Sequence, residues 1–393
     1  MKSNHECPAA TMNSQLPTVL VPELFRNAGG VQTFSRCFIS ALDSIYQSKV
    51  PVISINDQLV DFPPDFARNR SIEACGDATG IARKLKLITA TCKTTDSPSI
   101  LATHPGASSW LAIRALFVRR PFLCVVHGID VWTLSSLMKF GLSRAEVVLP
   151  VSRYTESQVL EQMKDSAPEM KLLPNMVDAE TFFPKDPATP WRTRLRIADD
   201  AAVLLTICRL APSEHRKGYD LILEILPRLV DEIPDLVWIL GGRGEDLERV
   251  KQKAAALGMA DHCRFPGFVE DEELPDLYRS ADLFVMPSQK EGFGIVFLEA
   301  AACGLPVIGG NRDGTVDALA DGALGKLIDP ENSDELVSAI LEILKTPRTP
   351  AFDLHRTCIE LFGELAFQNR LEAILSESPR LAGSLFPTRH PVK

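Results

Sequence analysis

The chain has 393 residues, a length that calls for two domains rather than one. Apolar residues make up 45%, enough for two buried cores, and a net charge of −9 argues against nucleic acid as a main partner. The charge is uneven: residues 1–185 carry 19 Lys+Arg against 17 Asp+Glu, the remainder 23 against 34, so the halves stand at +2 and −11. The first half is the better place for an anionic partner such as a lipid phosphate or a membrane face. Nine cysteines are scattered without a C-x-x-C pair, which speaks for free thiols and against a disulfide framework or a zinc site. No apolar run approaches the ~18–20 residues of a membrane-spanning helix, and the first residues have no hydrophobic signal core. The expectation is a cytoplasmic protein able to touch the inner face of a membrane from its first half.

Residues 1–15 are polar and aperiodic, and a disordered tail is expected there. Leu16-Pro-Thr-Val-Leu-Val-Pro22 reads as a strand, Arg26-Asn-Ala-Gly29-Gly30 as a loop, and 31–46 as a helix with Val31, Phe34, Phe38, Ala41, Leu42 and Ile45 on one face. Gly29 and Gly30 suit a tight turn as well as a ligand. Apolar runs at 51–55, 99–103 and 121–126 read as buried parallel strands. In such sheets chemistry sits just past the carboxyl ends of strands. Thr103-His104-Pro-Gly106 and His127-Gly-Ile-Asp130-Val-Trp132 occupy two of those ends. Arg119 and Arg120 precede the third run and can face an acceptor phosphate or simply water. A strand over 146–152 leads to Arg153-Tyr154, which opens a helix. The domain expected over 16–184 then closes on Leu172-Leu-Pro-Asn-Met-Val-Asp178 and Phe182-Phe-Pro184.

Lys185-Asp-Pro-Ala-Thr-Pro190 has the composition of a linker. The second domain, expected over 191–365, starts with a strand at 202–208. Arg209 ends it, and Lys217-Gly218 opens a helix from Tyr219 to Val230, with Arg216 competing for the place of Lys217. A strand at 236–240 runs into Gly241-Gly-Arg-Gly244, too few glycines for a dinucleotide fingerprint. The densest stretch is a strand over 282–288, the loop Gln289-Lys-Glu291-Gly292-Phe293-Gly294, a helix from Ile295, the stop Gly304, then Leu305-Pro306 and another strand. Ile295, Leu298 and Ala302 are its expected sheet-facing stripe. Glycines before a helix N-terminus favour a phosphate. Glu291 and Glu299 frame that place, and a carboxylate is repelled by phosphate but accepts hydrogen bonds from sugar and ribose hydroxyls. A phosphate between two hydroxyl-bearing groups describes a nucleotide sugar. A helix over 366–380 and a loose tail over 381–393 end the chain.

Pro287-Ser288, Glu291-Gly-Phe-Gly294, Glu299-Ala300 and Gly304-Leu-Pro-Val307 resemble the signature of the retaining GT-B glycosyltransferases of the large family four, the glycosyl transferases group 1. The resemblance implies an α/β GT-B architecture of two doubly wound Rossmann-like domains facing across a cleft, with the helix over 366–380 crossing back to the first domain. It assigns catalytic roles to His127, Glu291, Arg209 and Lys217. Donor contacts pass to Gly29, Gly30, Gly292, Phe293, Gly294, Ile295 and Glu299, and Val269, in Arg264-Phe-Pro-Gly-Phe-Val269, would meet the base through its backbone. Asp130, Arg119 and Arg120 fall on the acceptor side. Met176 stands where the family has Gly, which leaves the local turn in question. The implied reaction is retaining transfer of a hexose from a nucleotide diphosphate sugar, a substrate rather than a cofactor, to a glycan or lipid-linked hydroxyl. No metal and no nucleic acid are expected. His127-Gly-Ile-Asp-Val-Trp132 and the stretch Gly310-Asn-Arg-Asp-Gly314 are similar to bacterial mannosyltransferases of envelope polysaccharide synthesis, which points to mannose from GDP-mannose. An epimerase or phosphorylase on the same fold, and a non-catalytic nucleotide-sugar-binding homologue, stay open as alternatives.

Overall fold

The structure, a computed structural model, describes residues 16–27, 29–93, 97–185, 189–346, 351–378 and 381. The tail expected over 1–15, residues 186–188 of the expected linker and the end of the chain from 382 lie outside the described residues. The chain divides into two compact units. One holds the residues up to Val151, Thr155–Leu173 and those from Phe367 on; the other holds Ser152–Tyr154 and Pro174–Ala366.

The first unit is built on six parallel strands: β1 Thr18–Val21, β2 Val52–Ser54, β3 Ile72–Ala74, β4 Ile100–Ala102, β5 Phe122–Val126 and β6 Val147–Pro150. Their order is β3-β2-β1-β4-β5-β6. The strands formed by the apolar runs, β1, β2, β4, β5 and β6, are buried along their whole length, as a sheet covered on both faces requires. β3 was not legible as a strand: it is three residues long, lies at the edge and contains Glu73. The helix Gly30–Tyr46 lays Phe34, Phe38, Ile39, Ala41 and Leu42 into the core and ends at Gln47 in the left-handed region.

The second unit repeats the plan with β7 Val203–Ile207, β8 Val237–Gly241, β9 Cys263–Gly267, β10 Leu283–Met286, β11 Val307–Gly310 and β12 Lys326–Ile328, in the order β12-β11-β10-β7-β8-β9. Trp238, Tyr219, Leu223, Leu226 and Ile340 anchor its core; each fully buried aliphatic side chain contributes roughly 1.5–3 kcal/mol. The helix Ile295–Ala302 departs from the expected single stripe. Phe297 through Ala302 are all buried, whereas Ile295 is only half-buried. A second layer explains this: the helix Phe352–Phe362 covers the face away from the sheet, with Cys358 Sγ 3.6 Å from the Leu298 carbonyl. Near the end of the chain, one helix, Glu364–Glu377, begins in the second unit and continues in the first, where Phe367 meets Phe34 at 5.8 Å between ring centroids.

Among the described residues no helix is long and apolar enough to cross a membrane. All eight described cysteines are free thiols.

Candidate functional site

Each sheet reverses its strand order once, between β1 and β4 in the first unit and between β7 and β10 in the second. Open α/β sheets place ligands in the crevice at that reversal, outside the carboxyl ends of the strands. In the second unit the loops leaving β7 and β10 meet there. The β7 loop winds through a 3-10 turn, Pro212–Lys217, which ends at Gly218 with φ +85°. The Arg209 guanidinium donates to Glu214 Oε1 at 2.6 Å. Lys217 Nζ lies 3.7 Å from Glu214 Oε2 and donates to Glu291 Oε2 on the β10 loop. Arg209, Glu214, Lys217 and Glu291 thus form one alternating chain of charges. Of the two neighbouring cations it is Lys217 that turns inward, while Arg216 is exposed.

The β10 loop is braced from the side. The Glu291 amide donates to Asp313 Oδ2 at 2.7 Å, and Asp313 also accepts from the Ser288 hydroxyl at 2.8 Å and the Thr315 amide at 2.9 Å. The Gly292 amide folds back onto Glu291 Oε1 at 3.0 Å. Gly294, with φ +89°, turns the chain into the helix Ile295–Ala302, which has no side-chain cap at its first turn. An uncapped N-terminus with a positive dipole end is suited to an anion. Buried Phe293 faces the other way, packing at 5.9 Å against Phe362.

One turn into that helix, Glu299 is buried and accepts from the Tyr278 hydroxyl at 2.7 Å. Val269 is buried just beyond β9, and beside it the Arg243 guanidinium lies 4.4 Å from the Phe268 ring centroid. An open hollow next to these residues is lined by Arg209, Ala211, Pro212, Ser213 and Arg243.

The electrostatics follow from burial. Burial alone would push the Lys217 ammonium down, but Glu291 and Glu214 outweigh it and hold Lys217 above the ordinary lysine range. Burial raises Glu299 to about 7, against the hydrogen bond from Tyr278 and with a further push from Asp271. Burial likewise raises Asp313 to about 6, opposed by its bonds from Thr315 and Ser288. The sequence gives no role to Glu214 or Tyr278, and Asp313 enters there only as part of the stretch Gly310-Asn-Arg-Asp-Gly314. Glu214 stands three residues before Lys217 and Asp313 sits in an Asp-Gly turn, so both left a faint local signal; Tyr278 left none.

In the first unit the corresponding groups are tied to their own backbone. His127 Nε2 lies 2.7 Å from the Thr103 carbonyl oxygen. A carbonyl can only accept, so Nε2 carries the proton and, in the neutral ring, Nδ1 keeps a lone pair. Burial holds His127 below the ordinary histidine range, partly offset by Asp130 and by the Thr103 bond, so the neutral form prevails. The Phe34 ring meets it edge-on at 4.8 Å. Asp130 accepts from the His127 and Gly128 amides at 3.1 and 2.7 Å, which makes it the clasp of the loop, with the His104 ring 4.0 Å away. Gly29 and Gly30 open the first long helix, which has no side-chain cap. Gly30 has no neighbour within 4 Å of the place a Cβ would take, so nothing in the protein itself excludes a side chain there. Arg119 and Arg120 lie before the amino end of β5 and His127 follows its carboxyl end, so the structure does not bring them together. Among the described residues no three His, Cys, Asp or Glu side chains converge as a metal-binding group.

Residues 188–360 match the family model described as glycosyl transferases group 1. The chain is 35% identical over 263 residues to a GDP-mannose-dependent alpha-(1-6)-phosphatidylinositol monomannoside mannosyltransferase of Mycolicibacterium smegmatis, covering 63% of this chain and 68% of that one. The Mycobacterium tuberculosis enzyme of the same name is 34% identical over 257 residues, covering 61% of this chain and 65% of its own length. The matched region thus spans about two thirds of these relatives. A D-inositol 3-phosphate glycosyltransferase of Geodermatophilus obscurus is 39% identical over 182 residues, 44% of this chain and 40% of that one. Among solved structures, Anabaena HepE in complex with UDP and glucose superposes with a TM-score of 0.73 at 21% identity, over 92% of this chain and 99% of that one, which shows the GT-B fold. The chain is a glycosyltransferase and belongs to the glycosyl transferases group 1 family.

Proposed function

We propose that the protein is a retaining hexosyltransferase that moves mannose from GDP-mannose to a hydroxyl of a lipid-linked or polysaccharide glycan. The observation that carries this is the charge chain Arg209–Glu214–Lys217–Glu291 beside the uncapped N-terminus of the helix Ile295–Ala302. A diphosphate arriving there competes with both carboxylates for the two cations. As Lys217 and Arg209 turn to the phosphate, Glu291 is released to accept hydrogen bonds from donor-sugar hydroxyls. Glu299 takes the ribose and the Val269 backbone the base.

The bond from the sugar's anomeric carbon to the diphosphate oxygen breaks as the acceptor oxygen bonds to the same face, and the acceptor's proton passes to the leaving phosphate. Arg209, Lys217 and the amides from Gly292 to Ile295 stabilise the charge that develops there, so the reading assigns no metal. His127, with its Nδ1 lone pair, is assigned to a sugar hydroxyl, and Gly29 and Gly30 to close approach by donor or acceptor. Asp130 supports His127 through the loop. Arg119 and Arg120 stand next to Phe117, which is 82% exposed, and this cationic, apolar corner favours peripheral contact with an anionic membrane or lipid. The names of the mannosyltransferase relatives support the donor.

The test is thermal melting with GDP, UDP and ADP, alongside Glu299→Ala. A nucleotide at 100 times its Kd adds about 2.7 kcal/mol to the native state. GDP should raise the melting temperature of the parent protein and not of the variant. Stabilisation by UDP or ADP alone would overturn the donor. If no nucleotide or nucleotide sugar stabilises the protein, the donor-site reading falls.

A further inference from the structure

We infer that Tyr278 is a positioning residue that sets the buried Glu299 carboxylate in the one orientation able to take the paired hydroxyls of a nucleotide's ribose. This rests on the assignment of Glu299 proposed above. Tyr278 stands on the helix Leu274–Ser280 and is fully buried. Its ring is wedged between Phe182 and Phe284, with centroids 6.1 and 5.9 Å away. The phenol therefore has one place to point, and its hydroxyl donates to Glu299 Oε2 at 2.7 Å. An ionised carboxylate in such surroundings is costly unless hydrogen bonds hold it. With Oε2 fixed by a rigid donor, Oε1 and the second lone pair of Oε2 remain to accept two adjacent hydroxyls. Glu299 has an apolar setting in every other direction its own helix provides: Phe297, Leu298, Ala300, Ala301 and Ala302 are all buried.

Three other titratable or charged groups act here. Asp271, from the loop before the Tyr278 helix, opposes the negative charge on Glu299. Cys303 follows the helix of Glu299, and Arg279, next to Tyr278, acts on Cys303 while pairing with Asp276 at 2.9 Å. Among these groups the Tyr278 hydroxyl is the hydrogen-bond donor to Glu299, so it favours the ionised form against burial. Its loss should make Glu299 protonate at higher pH, and affinity for a ribose would fall off at correspondingly higher pH.

The experiment is calorimetric titration of the full chain with GDP and with 2′,3′-dideoxy-GDP between pH 5.5 and 9, for the parent protein, Tyr278→Phe and Glu299→Gln. The parent should bind GDP about tenfold or more tightly than the dideoxy nucleotide, the worth of a hydrogen bond to a charged group. Tyr278→Phe should leave dideoxy-GDP within about twofold, weaken GDP severalfold and move the acid limb of GDP binding to higher pH. Glu299→Gln should abolish both the discrimination and the acid limb. A Tyr278→Phe protein with the parent's discrimination and pH profile would overturn the inference, and so would one that loses both nucleotides equally, since that is a structural effect alone. A parent protein that does not distinguish the two nucleotides would overturn the Glu299 assignment itself.

Discussion

The carboxyl ends of the two sheets carry the same topology and opposite arrangements of polar groups. In the second unit the charged side chains are bound to one another, Arg209 to Glu214 and Lys217 to Glu291. In the first unit His127 and Asp130 are bound to backbone, one to the Thr103 carbonyl and the other to amides of its own loop. A side chain held by another side chain can be exchanged for a ligand at modest cost. One that clasps the amides of its own loop, as Asp130 does, cannot be exchanged without loosening that loop, and the loop carries His127 with it. The second arrangement suits a place that must offer one fixed orientation, the first a place that must give up its internal bonds when an anion arrives.

That contrast can be broken or sharpened by substitution. The largest effect is expected for Lys217→Ala, which removes a cation from the proposed leaving group and strands Glu291; sugar transfer should drop by about 10²–10³, measured as kcat with saturating donor. His127→Ala should cost transfer about 10² while leaving the Kd for GDP within about twofold. Equal loss of nucleotide binding would show that the two ends do not divide the work as described. The two loop clasps come next. Asp130→Ala and Asp313→Ala each strip a buried acceptor from two backbone amides, at about 1–3 kcal/mol, visible as a lower melting temperature. Only Asp313→Ala should also weaken GDP binding, since only it braces the loop of Glu291.

A smaller, pH-dependent effect follows from the same residue. Asp313 is raised to about 6 in the folded protein, above the ~3.9 of an unfolded aspartate. The native state therefore binds this proton more tightly, and the contribution of Asp313 to stability should rise as pH falls from above 6 towards 4. Melting temperatures of the parent and Asp313→Asn, compared at pH 7 and pH 5, should show the parent gaining on the variant at the lower pH. The smallest effect belongs to Arg153→Ala. Arg153 bridges Asp317 and Asp321, both at 2.6 Å, but its side chain is half exposed, so stability should change by at most about 1 kcal/mol.

Much of the fold was legible because parallel strands covered on both faces must be continuous apolar runs, and those at 121–126, 202–208 and 282–288 needed no tertiary information. β3 was not, because three edge residues, two of them half-buried, leave no periodic trace. The helix Ile295–Ala302 was placed correctly and its burial was not: a second covering layer cannot be seen from the periodicity of the first. At the candidate site, the glycines, Glu291, Lys217 and Arg209 stood out because motif chemistry is local in sequence. The bracing role of Asp313 and the part of Tyr278 did not, since each acts on a partner about twenty residues away through a contact that only the fold creates.

The alternating charges of the second unit also bear on how fast a donor could arrive. Two cations and two carboxylates, joined by two hydrogen bonds and one 3.7 Å ion contact, carry no net charge. For an incoming diphosphate this chain adds no steering, while the second half around it carries −11 and the uncapped N-terminus of the helix Ile295–Ala302 attracts only at close range. Its association should therefore quicken as added salt screens that repulsion, the opposite of sites whose cations stand unopposed.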